Sequence, residues 1–243
     1  MSHRKPFLIL FPGGWGHQTP ELVQWWFRHV ITRFQAEYQI IAIVYKGNSL
    51  DAYIQESLDQ LRNIPDGSKA ICYSMGAQIA RGVAQKRPML FRKVALISGL
   101  EYFGIRLRVV LSGLCIGIIP FMRILIGQPL KFDTVQQCKR VFFTGKDEHT
   151  PDKSIQTFME KWIYPEPAWA TIQLTVPLLR KQMKPFPCPI LVIVPKDDFF
   201  ARLATYPGEN VQRMDVTGNH GILCAKNNRL KIPFNRITEW FHS

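Results

Sequence analysis

The segment Lys69-Ala70-Ile71-Cys72-Tyr73-Ser74-Met75-Gly76-Ala77 constrains the fold more than any other stretch of the chain. An apolar, strand-like run ends in Ser74, and a helix-like run, Met75 to Lys86, begins at once. Cys72 and Gly76, two positions to either side of the serine, are small. A chain that passes from strand to helix without a loop forces unusual backbone angles on the tip residue, and bulk at either flank would clash. The tip side chain then stands at the carboxyl end of a sheet, over the positive end of a helix. Ser74 is therefore a candidate nucleophile. By itself a Ser-x-Gly after a strand is more often an ordinary turn, so the rest of the chain must supply its partners.

Three further segments qualify. The first apolar run, Pro6 to Phe11, leads into Pro12-Gly13-Gly14-Trp15-Gly16-His17. Glycines this dense after a buried strand imply a close backbone approach, and in this place the partner expected is a developing oxyanion. Two N–H groups would converge on it, from Gly14 and from Met75, with Gly13 and Gly76 allowing the turns to meet. The alternative is a plain glycine-rich turn. A late apolar run, Pro189 to Val194, ends in Pro195-Lys196-Asp197-Asp198, and a last short strand candidate, Val211 to Val216, ends in Thr217-Gly218-Asn219-His220-Gly221. An acid after one strand and a histidine after the next can meet at one sheet edge. The histidine would take the serine proton, and the acid would orient the imidazole and stabilise its cation.

The remaining pattern agrees. Strand candidates at 6–11, 38–45, 69–73, 93–98, 189–194 and 211–216 alternate with helical stretches at 20–36, 51–62, 75–86 and 233–242. Such alternation predicts an α/β fold with a mostly parallel central sheet and right-handed crossovers. Continuous apolar runs such as Phe-Leu-Ile-Leu-Phe and Ile-Leu-Val-Ile-Val suit strands covered on both faces. A chain of 243 residues can bury one sizeable core of this kind.

With these residues in place the chain resembles the α/β-hydrolase superfamily over nearly its whole length. Pro12-Gly13-Gly14 resembles the His-Gly-x oxyanion loop, and Cys72-Tyr73-Ser74-Met75-Gly76 the Gly-x-Ser-x-Gly elbow. Pro195-Lys196-Asp197-Asp198 resembles the Gly-x-x-Asp acid turn, and Gly218-Asn219-His220 the histidine turn. The order Ser, Asp, His along the chain is that of the superfamily. Three departures stand out: Cys72 for the first elbow glycine, Pro12 for the loop histidine, and Pro195 for the glycine of the acid turn. Counted from the strand end, Asp198 is the matching acid, with Asp197 the alternative.

The resemblance places residues 1–99 and 188–243 in the hydrolase core and 100–187 in a cap. Within that interval, Leu107 to Leu130 is strongly apolar, and Val109 to Met122 is apolar or small throughout. The run is short of the roughly 20 apolar residues a membrane-spanning helix needs. It reads as a cap helix over an apolar pocket. A membrane contact, flanked by Arg106, Arg108, Arg123 and Lys131, and a plain core helix are the rivals. Arg140 to His149 imitates a strand followed by a glycine-and-acid turn, Gly145-Lys146-Asp147, which makes Asp147 a competitor acid. A helix beginning near Pro151-Asp152 and the Tyr164-Pro165-Glu166-Pro167 turn assign 140–170 to the cap instead. His17 and His149 read as exposed or rim residues rather than proton carriers.

The formal net charge is +13. A basic surface favours anionic partners, here an anionic membrane or an acyl carrier protein. The basic residues are scattered, without the aromatic interleaving of a nucleic-acid module, and no nucleic-acid partner is expected. The five cysteines, 72, 115, 138, 188 and 224, lack metal-site spacing and are odd in number, which favours free thiols in a reducing compartment. The apolar run behind Met1-Ser2-His3-Arg4-Lys5 is too short for a secretory signal, so a cytoplasmic site is expected, with peripheral membrane contact open. No dinucleotide or phosphate-binding glycine motif occurs, and neither cofactor nor metal is expected. The resemblance implies a serine hydrolase acting on a carboxylic ester or thioester with an apolar acyl part. Relatives with the same constellation include carbon–carbon hydrolases and lactonases, and a ligand-binding module with an idle triad is the reading from a different class.

Overall fold

Six strands form one sheet: β1 (Phe7–Phe11), β2 (Gln39–Ala42), β3 (Ser68–Tyr73), β4 (Phe91–Ile97), β5 (Ile190–Pro195) and β6 (Val211–Val216). Their spatial order is β2-β1-β3-β4-β5-β6, and every neighbouring pair is parallel. The computed structural model describes residues 5–100, 117–175, 184–206, 208, 210–224 and 227–243. One row of paired residues, Phe11, Cys72, Leu96, Val192 and Arg213, runs across five strands, and β5 and β6 continue three residues beyond it. The glycine loop, Ser74, the acid turn and the histidine turn all leave the sheet at its carboxyl edge.

The chain winds from β1 outward to β2, then returns to the other side of β1 to form β3. This reversal leaves a crevice between the carboxyl ends of β1 and β3, where ligands bind in open α/β sheets. Alternate residues of each strand face opposite layers. Leu8, Leu10, Ile71, Tyr73, Leu191 and Ile193 pack under helices α1 (Pro20–Phe34) and α9 (Asn227–His242). Ile9, Phe11, Ala70, Cys72, Val192 and Val194 pack under α2 (Leu50–Gln60) and α3 (Gly76–Lys86). Helix α1 starts where Thr19 accepts the Leu22 N–H at 3.3 Å and Pro20 presets the first turn. Its stripe Val23, Trp26, Phe27, Val30 and Phe34 is fully or almost fully buried, worth about 1.5–3 kcal/mol per large side chain.

Helix α9 begins at Asn227, before the expected start at 233, and holds Pro233 in its interior. The apolar spacing explains the extension, because Leu230, Phe234, Ile237 and Phe241 form one buried stripe across the proline.

Between β4 and β5 lie α4 (Ile118–Leu125), α5 (Val135–Phe142), α6 (Asp152–Trp162) and α7 (Ala168–Thr175). The segment that imitates a strand at Arg140–Phe143 is the end of α5. A capping box decides it: Thr134 accepts from the Gln137 N–H, and the Gln137 side chain returns to the Thr134 N–H. Helix α6 starts at Asp152, as the Pro151-Asp152 pair predicts. Of the apolar run 107–130, residues 107–116 lie outside the described residues. Helix α4 turns Ile118, Ile119, Met122 and Leu125 to the surface, and Ile126 behind it is also exposed. Among the described residues no helix is long and apolar enough to cross a membrane.

Candidate active site

Ser74 sits at the tip of the β3–α3 turn with φ of +53°, a left-handed angle that a non-glycine residue holds only when its surroundings enforce it. Here they do. The Ser74 N–H donates to the Ile97 carbonyl at 3.1 Å, and the Ser74 carbonyl accepts from Leu100 and Ala77 at 3.0 and 3.1 Å. The two glycines facing the turn leave room for it. A Cβ on Gly76 would stand 2.3 Å from the Phe11 carbonyl oxygen, and one on Gly13 would stand 2.8 Å from the Ser74 Cβ. The end of β1 therefore lies directly against the elbow.

The structure brings three of the singled-out side chains into one line. Ser74 Oγ lies 2.9 Å from His220 Nε2, and His220 Nδ1 lies 2.8 Å from Asp198 Oδ2. All three residues are buried, at 2%, 2% and 1% exposure, so these contacts form away from bulk water. A carboxylate only accepts, so the proton resides on Nδ1, and Nε2 is left to accept from the serine hydroxyl. The other Asp198 oxygen, Oδ1, accepts the Ala201 N–H at 3.0 Å and caps the short helix α8 (Phe199–Leu203). One carboxylate thus both starts a helix and orients the imidazole. The imidazole is packed among Tyr73, Phe142 and Phe200. The Tyr73 hydroxyl donates to the His220 carbonyl, and burial pushes its pKa well above the ordinary tyrosine range, which keeps it a donor.

The other candidate acids do other work. Asp197 is exposed, and its side chain lies against Gly145. Its N–H donates to the Gly218 carbonyl at 2.8 Å, tying the acid turn to the histidine turn. Asp147 pairs with Arg229 at 2.6 Å and accepts from Asn219 Nδ2 at 2.9 Å. Asn219 also accepts the Gly221 N–H, so Asp147 and Asn219 brace the turn that carries His220.

Met75 directly follows Ser74, and Gly14 follows the Gly13 that abuts the serine. Among the described residues neither N–H meets an acceptor. Met75 immediately precedes the first turn of α3, where the helix presents partial positive charge.

His17 is not a rim residue. It is 1% exposed, with Nε2 at 2.9 Å from Glu166 Oε2 and Nδ1 at 2.8 Å from the Tyr45 carbonyl. The rim expectation fails because the glycine loop folds inward under Glu166, a contact across 149 positions that no local pattern encodes. His149 is exposed and pairs with Glu148. Glu166 is the site-adjacent residue that sequence reasoning passed over. Its one local mark is an acid enclosed by Pro165 and Pro167. Among the described residues Cys72, Cys138, Cys188 and Cys224 form no disulfide, and burial pushes Cys138, Cys188 and Cys224 up to about 12. Cys115 lies outside the described residues.

No protein-family model matches the chain, and no curated protein matches it. Solved structures do. A protein of Mycobacterium tuberculosis superposes with a TM-score of 0.67 at 15% identity, over 99% of this chain and 91% of its own. A serine hydrolase of the hydrocarbon-degrading bacterium Cycloclasticus zankles gives 0.64 at 14% identity, over 98% and 89%. A carboxylesterase of the thaumarchaeon Nitrososphaera gargenis gives 0.63 at 13% identity, over 97% and 90%. Together with the parallel sheet and its flanking helices, these likenesses establish the α/β-hydrolase fold for this chain.

Proposed function

We propose that the protein is a serine hydrolase cleaving a carboxylic ester or thioester with an apolar acyl part. The observation that carries this reading is the continuous contact from Ser74 Oγ through His220 to Asp198, at 2.9 and 2.8 Å in a buried site. In the reaction Ser74 Oγ attacks the acyl carbon while His220 Nε2 takes its proton. The carbonyl oxygen gains the negative charge and accepts from the Met75 and Gly14 N–H groups, each worth about 3 kcal/mol in such a place. Collapse breaks the ester bond, and the leaving alcohol or thiol takes the proton from Nε2. Water then repeats the attack through the same base and releases the acid and free Ser74.

The ester assignment draws support from the fold relatives, whose descriptions include a carboxylesterase and a monoacylglycerol lipase of Paleococcus ferrophilus. An apolar acyl part suits the aromatic surroundings of His220 and the proposed cap over 100–187. The outward Ile118, Met122 and Leu125 of α4, on a chain of net charge +13, fit a peripheral lipid contact for that cap. The test is labelling with a fluorescent fluorophosphonate, wild type beside Ser74→Ala, followed by p-nitrophenyl esters of increasing chain length. Labelling lost in the variant, with turnover peaking at one chain length, is the expected result. A folded wild type that neither labels nor turns over refutes the hydrolase and leaves the binding-module reading.

A further inference from the structure

The glycine loop rests on a buried polar cluster that the reaction as written does not use. Glu166 reaches it from between α6 and α7. Its Oε2 accepts the Trp15 N–H at 3.0 Å and lies 2.9 Å from His17 Nε2, and its Oε1 accepts from the Tyr53 hydroxyl at 3.0 Å. The Tyr45 hydroxyl donates to the Pro12 carbonyl, and the Tyr45 carbonyl faces His17 Nδ1. Glu166, His17, Tyr45 and Tyr53 are all buried. Glu166 is itself held by a two-way backbone bridge with Leu130, at 2.7 and 2.8 Å.

Two consequences follow for Gly14. First, Trp15 has φ of +65°, a strained angle for a bulky residue, and its N–H is the one bonded to Glu166. That bond fixes the peptide directly after Gly14, and the Tyr45 bond to the Pro12 carbonyl fixes the peptide before Gly13, so the Gly14 N–H lies between two tethered peptides. Second, Glu166 Oε2 would be 3.3 Å from a Cβ on Gly14. A lone carboxylate this close would oppose an oxyanion. His17 prevents that. Nδ1 faces a carbonyl and must carry a proton, and the Nε2–Oε2 contact holds one more, so the pair is neutral overall whichever atom bears that proton. The Gln18 amide nitrogen, 3.4 Å from Nε2, adds no charge.

We propose that Glu166 and His17 are positioning residues of the oxyanion hole: they hold the Gly14 N–H toward Ser74 and keep the loop electrically neutral beneath it. This rests on the serine-hydrolase reading. The experiment compares wild type, Glu166→Gln, His17→Gln and the double variant in ester hydrolysis. Beside it run thermal unfolding and inhibition by an alkyl boronic acid, whose tetrahedral adduct on Ser74 places an oxygen in the hole. Expected is a fall in kcat of about 10- to 100-fold with KM within about twofold, the range a small misplacement produces. Boronate affinity should fall in parallel, and the double variant should be no worse than the poorer single one, because the pair acts as a unit. Variants with a lower melting temperature but wild-type kcat and boronate affinity overturn the proposal alone. A wild type with neither labelling nor turnover overturns it together with the hydrolase reading. Should both single variants fail to fold, Tyr53→Phe removes only one donor to Glu166, and a kcat unchanged there also overturns it.

Discussion

Gly76→Ala tests whether the crevice geometry sets the activity. The added Cβ would stand 2.3 Å from the Phe11 carbonyl oxygen, 2.6 Å from that of Pro12 and 2.8 Å from the Phe11 carbonyl carbon. These are backbone atoms of the β1 end, so no side chain can swing aside, and α3 and the glycine loop must separate by about 1 Å to restore ordinary contact. Overpacking of this kind costs about 1–3 kcal/mol. Alanine's better helix propensity returns at most about 1 kcal/mol, so a net loss of about 1–2 kcal/mol remains. For a chain of this size that lowers the melting temperature by about 2–8 °C. The same separation moves Ser74 and the Met75 N–H from the Gly14 N–H by about 1 Å, and a misplacement of that size costs about 100-fold in rate. Ester hydrolysis and thermal unfolding followed by circular dichroism measure both. Gly67→Ala is the control: φ there is +83° with open space around the Cβ, so it destabilises by about 1–2 kcal/mol without touching activity. A folded Gly76→Ala variant with wild-type kcat/KM would refute the argument that β1 must lie against the elbow.

Ser74→Ala is expected to lose fluorophosphonate labelling and at least about 10⁴-fold in turnover. Its melting temperature should stay near wild type, because the hydroxyl contributes one hydrogen bond to the fold. Asp198→Asn keeps an acceptor for the Ala201 N–H yet supplies the wrong partner to Nδ1, so kcat should drop about 10⁴-fold. Asp197→Asn and Asp147→Asn, measured alongside, should each stay within about tenfold, and equal losses at Asp197 and Asp198 would contradict the assignment. Cys138, Cys188 and Cys224 should resist iodoacetamide at pH 8 in the native protein and react in guanidinium, read by peptide mass spectrometry. Because burial holds these thiols neutral up to about 12 while the unfolded chain ionises near 9, the unfolded state binds fewer protons across that window. Stability must therefore fall with rising pH there, by roughly 1 kcal/mol per thiol per pH unit. A flat or rising denaturation midpoint between pH 9 and 11 would be inconsistent with the raised pKa of these three thiols.

Much of this architecture is written locally. Continuous apolar runs specify strands covered on both faces, and a Thr-Pro-Glu start announces α1, because each of these signals acts within a few residues. The elbow is equally local: Cys72, Ser74 and Gly76 fall within one turn, and steric exclusion at that turn leaves few other conformations. The order of serine, acid and histidine followed from the order of the strand ends. What the chain alone left open needed distances across the sheet. Asp197 and Asp198 are adjacent, and only the direction of the turn after β5, set by capping of α8, sends one to His220 and the other to the surface. Arg140–Phe143 reads as a strand by composition, but a capping box and packing against the core make it helical. His17 and Glu166 are 149 positions apart, and each looks like a surface residue in its own neighbourhood. Burial of two ionisable side chains is tolerable only when they meet each other, and that meeting is decided by how the segment between β4 and β5 folds over the glycine loop.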